Sequence, residues 1–469
     1  MTAMDRPGTV RAEQDGATRV LVMDYPPLNT IVHGIRAGLV RELLAAELDP
    51  GTNSVVVIGA GGNFCGGADL EEFGRGTAMA APSLHGHIIP FIEAMTKPVV
   101  AAIEGFALGG GLELALGCHA RVASANARVG LPETNFGLIP GAGGTVRLPR
   151  AVGAERAARM IVGAEIVAAP ELAGTALFDS LCDGDTRAAA IAFAQTMQGP
   201  LPRLRDRPVA PFDAEAVRSL ETLDRPSRRA SNLAVASILR AAATEADTAL
   251  AGEYADFIGL LMGDESAALR HLFLAERAAQ RVPGLPRPAP VQTATIHGSD
   301  ALADTLRQAA AKAGIAPGSG LSLATDGTGA VNLTAPVPGR RLLEVLRDDT
   351  TDPAALAAAM ALLRRLRFLP VCTGPTGLVA RIRQAGDRSR LAMVNEAARA
   401  LEDGAALRPG DIDLALVEAG AFPATTGGPL FWAETRGLPL TIADLERAHR
   451  ATHDAFWTPA RWLLARTQP

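Results

Sequence analysis

Two apolar runs, Val55-Val56-Val57-Ile58 and Val99-Val100-Ala101-Ala102-Ile103, read as buried strands. Each gives way to a glycine-bearing loop. The first loop is Asn63-Phe64-Cys65-Gly66-Gly67-Ala68-Asp69-Leu70. The second, Leu108-Gly109-Gly110-Gly111-Leu112-Glu113, runs into the helix-favouring residues Leu114, Ala115 and Leu116. Strand-like and helix-like segments alternate from residue 1 to about 195, which predicts an α/β fold. A stretch rich in proline and arginine, from Gln198 to Pro226, reads as a linker or surface excursion. Helix formers dominate from Ser227 to about Arg281, with apolar positions at helical spacing in Ala255-Asp256-Phe257-Ile258-Gly259-Leu260-Leu261. A further strand and helix are legible in Thr293-Ala294-Thr295-Ile296-His297-Gly298-Ser299-Asp300-Ala301-Leu302.

The glycine loops carry the candidate chemistry. Glycines at a strand-to-helix junction let backbone approach a ligand closely and aim amide N–H groups at an oxygen, helped by the positive end of the helix dipole. That is how an oxyanion hole is built. Glu113 follows Gly110 by one helical turn, so its carboxylate shares the face of that amide. A second carboxylate, Glu133, stands in Val129-Gly130-Leu131-Pro132-Glu133-Thr134, a turn held by proline and flanking apolar residues. Two carboxyl groups facing one polarised carbonyl suit proton transfer, one as base and the other as acid.

In these residues the chain resembles the enoyl-CoA hydratase/isomerase (crotonase) superfamily. Pro26-Pro27-Leu28-Asn29 is similar to the turn near the family's start, and Phe64 to Phe73 to its first oxyanion loop. Lys97 through Glu113 is similar to the second. Leu131-Pro132-Glu133 and Gly137-Leu138-Ile139-Pro140-Gly141-Ala142-Gly143-Gly144-Thr145, with Arg147-Leu148-Pro149-Arg150, match the region after it. The resemblance implies a crotonase spiral of ββα repeats that takes an acyl-CoA. The amides of Ala68 and Gly110 bind the thioester oxygen, and Gly66, Gly67, Asp69, Leu70, Gly109, Pro132 and Gly141 line the substrate. It also implies that Glu113 activates water for attack at the β-carbon while Glu133 delivers a proton to the α-carbon. Having both glutamates favours hydration. Two alternatives stay open: a Δ3,Δ2-enoyl-CoA isomerase, alone or in addition, in which Glu133 shuttles the proton, and a non-catalytic acyl-CoA-binding scaffold.

The C-terminal half resembles the multifunctional fatty-acid β-oxidation enzymes, in which a hydratase part precedes a 3-hydroxyacyl-CoA dehydrogenase. Ala268-Leu269-Arg270-His271-Leu272-Phe273-Leu274-Ala275-Glu276-Arg277 looks like their connecting helix. Where the nucleotide fingerprint is expected, Thr293 to Leu302 lacks the glycines of GxGxxG, and Asp300 brings negative charge where phosphates should lie. In Asn332-Leu333-Thr334-Ala335-Pro336 an asparagine stands where the family has its acid/base histidine, although the family's glutamate persists as Glu344. Gly377-Leu378-Val379-Ala380-Arg381 lacks the family's asparagine before the arginine. From Cys372 a single helical repeat remains, with Asn395-Glu396, Asp411-Ile412-Asp413 and Gly427-Gly428-Pro429. Expected, therefore, are a crotonase domain over 1–195, a helical linker completing the hydratase part over 196–287, a reduced Rossmann-like remnant over 288–371, and an all-α domain over 372–469. No cofactor is expected, NAD binding being lost.

Composition changes this picture little. The chain has 469 residues, enough for two or more domains, and its net charge of -5 gives no reason to propose nucleic acid or an anionic membrane as partner. Four scattered cysteines and eight scattered histidines form no metal or disulfide pattern, and Cys65 is read as a small buried residue. His85 and His87, between the oxyanion loops, are expected to shape access to the acyl pocket. Met1 to Arg11 shows no apolar leader and the chain does not end in serine-lysine-leucine, so a cytoplasmic bacterial enzyme is expected. If the helices after Ser227 replace trimer contacts, it is a monomer. Contact with a thiolase or a separate dehydrogenase is a further expectation.

Overall fold

The computed structural model describes residues 8–74 and 76–467. Most of the N-terminal stretch read for a leader, and the last two residues of the chain, lie outside the described residues. The chain divides into two compact units, one ending at Ser266 and the other beginning at Ala267. That boundary falls inside the segment 196–287.

The first unit is built on a six-stranded sheet. Its strands are β1 (Thr9–Asp15), β2 (Thr18–Asp24), β3 (Ser54–Gly59), β4 (Val99–Ile103), β6 (Ala120–Ser124) and β9 (Ser180–Cys182), in the order β1-β2-β3-β4-β6-β9. Only the β1–β2 pair is antiparallel. A smaller sheet, β5 (Phe106–Leu108), β7 (Arg128–Gly130) and β8 (Val167–Ala168), stands beside it. Both apolar runs are buried throughout as β3 and β4, as a parallel sheet covered on both faces requires. Alternate residues serve the two sides. Val56, Ile58, Val100 and Ala102 meet Ala190, Ile191 and Ala194, whereas Val55, Val57, Val99 and Ala101 share a core with Leu39 and Leu43. Each buried Val or Ile contributes ~1.5–3 kcal/mol.

The helices that matter to the site in this unit are α1 (Gly110–Gly117), α2 (Gly144–Val152), α3 (Arg228–Ala243) and α4 (Ala246–Leu261). The last two join the main core of the unit through Ala230, Ala234, Val235, Ile238, Phe257 and Leu260. They complete the first unit although they lie far along the chain from its strands.

The second unit holds a sheet of β10 (Thr293–His297), β11 (Ala316–Pro317), β12 (Leu321–Ala324), β13 (Val331–Thr334), β14 (Leu342–Leu346) and β15 (Leu369–Thr373), ordered β11-β10-β12-β13-β14-β15. Its β13–β14 pair is antiparallel and the rest are parallel. Helices α5 (Ala301–Lys312) and α6 (Pro353–Arg365) pack on it through Leu306, Ala310, Leu356, Met360 and Leu363. A helical layer follows in α7 (Val379–Gly386), α8 (Arg390–Glu402), α9 (Pro409–Glu418), α10 (Pro429–Arg436) and α11 (Leu438–Thr452). The Gly427-Gly428-Pro429 turn is held by buried Asp413, which accepts from the amides of Leu430 at 2.7 Å and Phe431 at 3.2 Å, and pairs with His271 Nε2 at 2.9 Å. A Cβ on Gly428 would meet Asp413 Cβ at 2.4 Å, so glycine is required there.

Candidate active site

The two glycine loops are fastened to each other by backbone. Cys65 N donates to Phe106 O at 2.9 Å and Leu108 N to Cys65 O at 2.9 Å, extending the register of a small parallel bridge. Asn29 secures the entry to the first loop. Its Nδ2 donates to Ala60 O (2.8 Å) and Asn63 O (2.7 Å), and its Oδ1 accepts from Tyr25 N. The contact is close at Gly67, whose φ is +95° and whose Cα would place a Cβ 2.7 Å from Leu108 O. Gly67→Ala is therefore expected to cost stability on two counts, a left-handed backbone and a clash with a carbonyl, of order 1–3 kcal/mol. Calorimetry checks this: the melting temperature should fall by several degrees, and an unchanged one would mean that the loops do not meet here.

This junction brings the amides of Ala68 and Gly110 together. Gly109 N–H is taken by Gly130 O at 2.9 Å, and Gly110 is the first residue of α1, where a helix has no internal partner for its N–H. Among the described residues no carbonyl accepts from the amide of Ala68 or of Gly110. Asp69 caps the following short helix, Leu70–Gly74, through Glu71 N. Gly66 and Gly141 are also tied to protein. The Gly66 amide donates to Leu28 O at 2.7 Å, and a Cβ on Gly141 would lie 2.5 Å from the ring of Phe257.

Glu113, on α1, is buried. Its Oε1 accepts from Ala142 N (2.7 Å) and Gly144 N (2.9 Å). Burial pushes its pKa above the usual carboxylate value, opposed by those two amides and by the positive charge of Arg147. Pro132 precedes a short 3-10 turn, Glu133–Phe136, anchored by Thr134 Oγ1 donating to Ile161 O at 3.1 Å. That turn directs Glu133 toward Gly109, where a Cβ would meet Glu133 Oε1 at 3.0 Å. Glu133 Oε2 is buried with no hydrogen-bond partner among the described residues. Its pKa is raised well above the carboxylate value, by burial first and then by the charges of Glu113 and Glu253. The two glutamates thus face one site in different states: Glu113 has two loop amides and Arg147 to favour a negative charge, whereas burial and the neighbouring carboxylates favour the neutral form of Glu133 more strongly.

Sequence reasoning missed Glu253. This residue of α4 is fully buried, and its Oε1 accepts from Gly143 N at 2.5 Å while its Oε2 accepts from Thr145 N at 2.7 Å and pairs with Thr145 Oγ1 at 2.5 Å. The signal was available, because Leu250, Glu253, Phe257 and Leu261 share one face of the helix and a carboxylate in an apolar stripe calls for buried partners. Tyr254, next to it, stacks on His85 with ring centroids 4.1 Å apart. His85 is held toward its neutral form by burial and by Arg147. Leu84 Cδ1 comes within 3.2 Å of where a Cβ on Gly110 would lie, so the Leu84–Ile88 segment borders the oxyanion loops. Cys65 is buried with its thiol pushed up to about 12, unsuited to a nucleophile's role. Among the described residues no group of three or more His, Cys, Asp or Glu could hold a metal, and no helix is long and apolar enough to cross a membrane.

With this geometry in place, comparison with known proteins gives one family: residues 13–199 match Enoyl-CoA hydratase/isomerase. The first unit contains a crotonase-family domain. The chain is 35% identical over 268 residues to the peroxisomal bifunctional enzyme of Cavia porcellus, covering 55% of this chain and 36% of that protein. It is 40% identical over 161 residues to a probable enoyl-CoA hydratase of Bacillus subtilis (strain 168), covering 34% of this chain and 62% of that one. Among solved structures, an enoyl-CoA hydratase from Mycobacterium tuberculosis H37Rv is 26% identical with a TM-score of 0.39, covering 58% of this chain and 97% of that one. The match spans little more than a third of the bifunctional relatives' length. Glu253 and Phe257 lie beyond the residues that match the family, yet they reach the loop that holds the crotonase domain's Glu113.

Proposed function

We propose that the crotonase domain adds water across the double bond of a trans-2-enoyl-CoA, giving a 3-hydroxyacyl-CoA, and that the second unit performs no dehydrogenation. One observation carries the reading: two buried carboxyl groups, Glu113 with two amide donors and Glu133 with an Oε2 that has no partner among the described residues, stand beside two amides that no carbonyl of those residues occupies. The thioester oxygen accepts from Ala68 N and Gly110 N, which stabilise the enolate as charge moves onto it. Glu113 takes a proton from water as the hydroxyl oxygen bonds to the β-carbon. Glu133 gives its proton to the α-carbon as the enolate collapses. The likeness to a peroxisomal bifunctional enzyme and to a probable enoyl-CoA hydratase supports the same class.

The states of the two carboxyls give a pH dependence. Glu113 must be ionised, so activity is lost as pH falls through its pKa, which lies above the usual carboxylate value. Glu133 must be protonated, so activity is lost as pH rises through its own, more strongly raised pKa. A plot of kcat/KM against pH should be bell-shaped, with its acid limb above the ordinary carboxylate value of ~4.3. A profile that stays flat from the acid limb up to strongly alkaline pH would contradict the assignment of Glu133 as acid. Supplying a cis-3-enoyl-CoA in parallel separates the alternatives: an isomerase moves the double bond without taking up water.

The reading of the second unit rests on its own residues. Asp300 Oδ1 accepts from Ala303 N at 2.8 Å, so a carboxylate already caps the first turn of α5, the place a pyrophosphate would need. Gly298 has φ +110°, and a Cβ on it would lie 2.1 Å from Thr325 Oγ1, leaving that turn closed against its neighbour. These residues do not fit NAD. Asn332, on β13, has no titratable group to serve as acid or base, and Glu344 accepts from the amides of Leu378 (2.6 Å) and Val379 (3.0 Å) at the start of α7. The surviving glutamate is a helix cap.

A further inference from the structure

The loop from Ala142 to Thr145 is gripped from two sides. Its four successive amides alternate in direction: Ala142 and Gly144 donate to Glu113, and Gly143 and Thr145 donate to Glu253. Neither carboxylate can shift without dragging the amides that serve the other. Behind Glu253 the chain of polar contacts continues, with Thr145 Oγ1 to Ser237 Oγ at 2.7 Å, and Arg240 Nη2 donating to Ser237 Oγ at 3.3 Å and to Asp256 at 2.5 Å. Glu253, Ser237, Arg240 and Asp256 come from α3 and α4, beyond the residues that match the family.

We propose that Glu253 is a positioning residue for the hydration reaction, setting the two amides that orient Glu113 by holding the two that alternate with them. The proposal rests on the reading of the crotonase domain as a hydratase. Glu253 touches no reacting atom; it acts through the loop. Burying a third carboxyl near two others is costly by desolvation and like charge, and its pKa is raised to about 8. That cost is offset here by two amides and a hydroxyl aimed at it, donors that no apolar side chain of the same size could satisfy. A merely structural helix could have closed this core with a leucine. The presence of the carboxylate fixes the loop's conformation instead of only covering it.

Glu253→Gln keeps the volume but turns an NH2 toward one of the two amides, leaving that amide without an acceptor. In the full-length protein with crotonyl-CoA, kcat should fall ~10 to 100-fold through misplacement of Glu113, with KM within about twofold of wild type. The acid limb of the pH profile should move upward, because Glu113 loses part of its amide support. Thr145→Val should lower kcat in the same sense and Thr145→Ser should restore it, giving a second route if Glu253→Gln folds poorly. Amide hydrogen exchange in peptides covering 142–145 should quicken in Glu253→Gln while that of the β3 and β4 strands stays slow. Unchanged kcat and an unchanged acid limb in a folded Glu253→Gln would overturn the proposal, and so would unchanged exchange at 142–145. If the wild type hydrates no enoyl-CoA, the functional reading fails on its own. The exchange measurement still decides whether Glu253 holds the loop: faster exchange upholds that, and unaltered exchange rejects it.

Discussion

Glu113→Gln and Glu133→Gln each reduce kcat/KM for crotonyl-CoA by ~100 to 10,000-fold, the usual contribution of a positioned acid or base. The reasons differ between the two. A glutamine at 113 still accepts from Ala142 N and Gly144 N through its carbonyl oxygen, so the loop is kept but the base is lost. A glutamine at 133 removes the proton donor from a site whose Oε2 has no partner among the described residues. Removing both should cost little more than removing one, since each group serves the same addition. Steady-state rates with thermal melts of each variant check this, and a variant that melts like wild type and still hydrates at more than a tenth of its rate would remove that glutamate from the mechanism.

The second large effect is expected at the oxyanion hole. Gly110 is the first residue of α1, a position where proline suits the helix and where the N–H has no internal partner. Gly110→Pro deletes that N–H and sets ring carbon where the hydrogen pointed. Hydration should fall ~100 to 1,000-fold from loss of one donor, and further through crowding. Far-ultraviolet circular dichroism and a melt show whether the fold survives, and full activity in the folded variant would place the thioester oxygen elsewhere.

The crotonase part was readable because its chemistry is local. Val55–Ile58 and Val99–Ile103 are buried on both faces, and the glycines that close the loops follow each of them directly. Glu113 and Glu133 could be picked out as candidates because each stands beside the turn that aims it. Glu253 escaped because its partners, Gly143 and Thr145, lie more than a hundred residues earlier, and nothing in the pattern around it says which amides it meets. The same distance hides why Gly141 must be small, since the ring against it belongs to Phe257. In the second unit the strand and helix around Thr293–Leu302 were legible, whereas the antiparallel β13–β14 pair inside a mostly parallel sheet was not. Glu344 stood out in the sequence as the counterpart of the family's glutamate, but its employment as a cap for α7 depends on a turn at Gly377 that no local spacing announces.

The central claim is tested most directly by mixing the purified protein with crotonyl-CoA, following the loss of enoyl-thioester ultraviolet absorbance, and then adding NAD. The account predicts loss of absorbance in the wild type, loss slowed ~100-fold or more in Glu113→Gln and Glu133→Gln, and no NADH from the 3-hydroxyacyl-CoA that forms. Persistent absorbance with crotonyl-CoA and longer trans-2-enoyl-CoAs, in a protein that still binds the thioester, would contradict the hydratase reading. NADH formation would contradict the silence of the second unit.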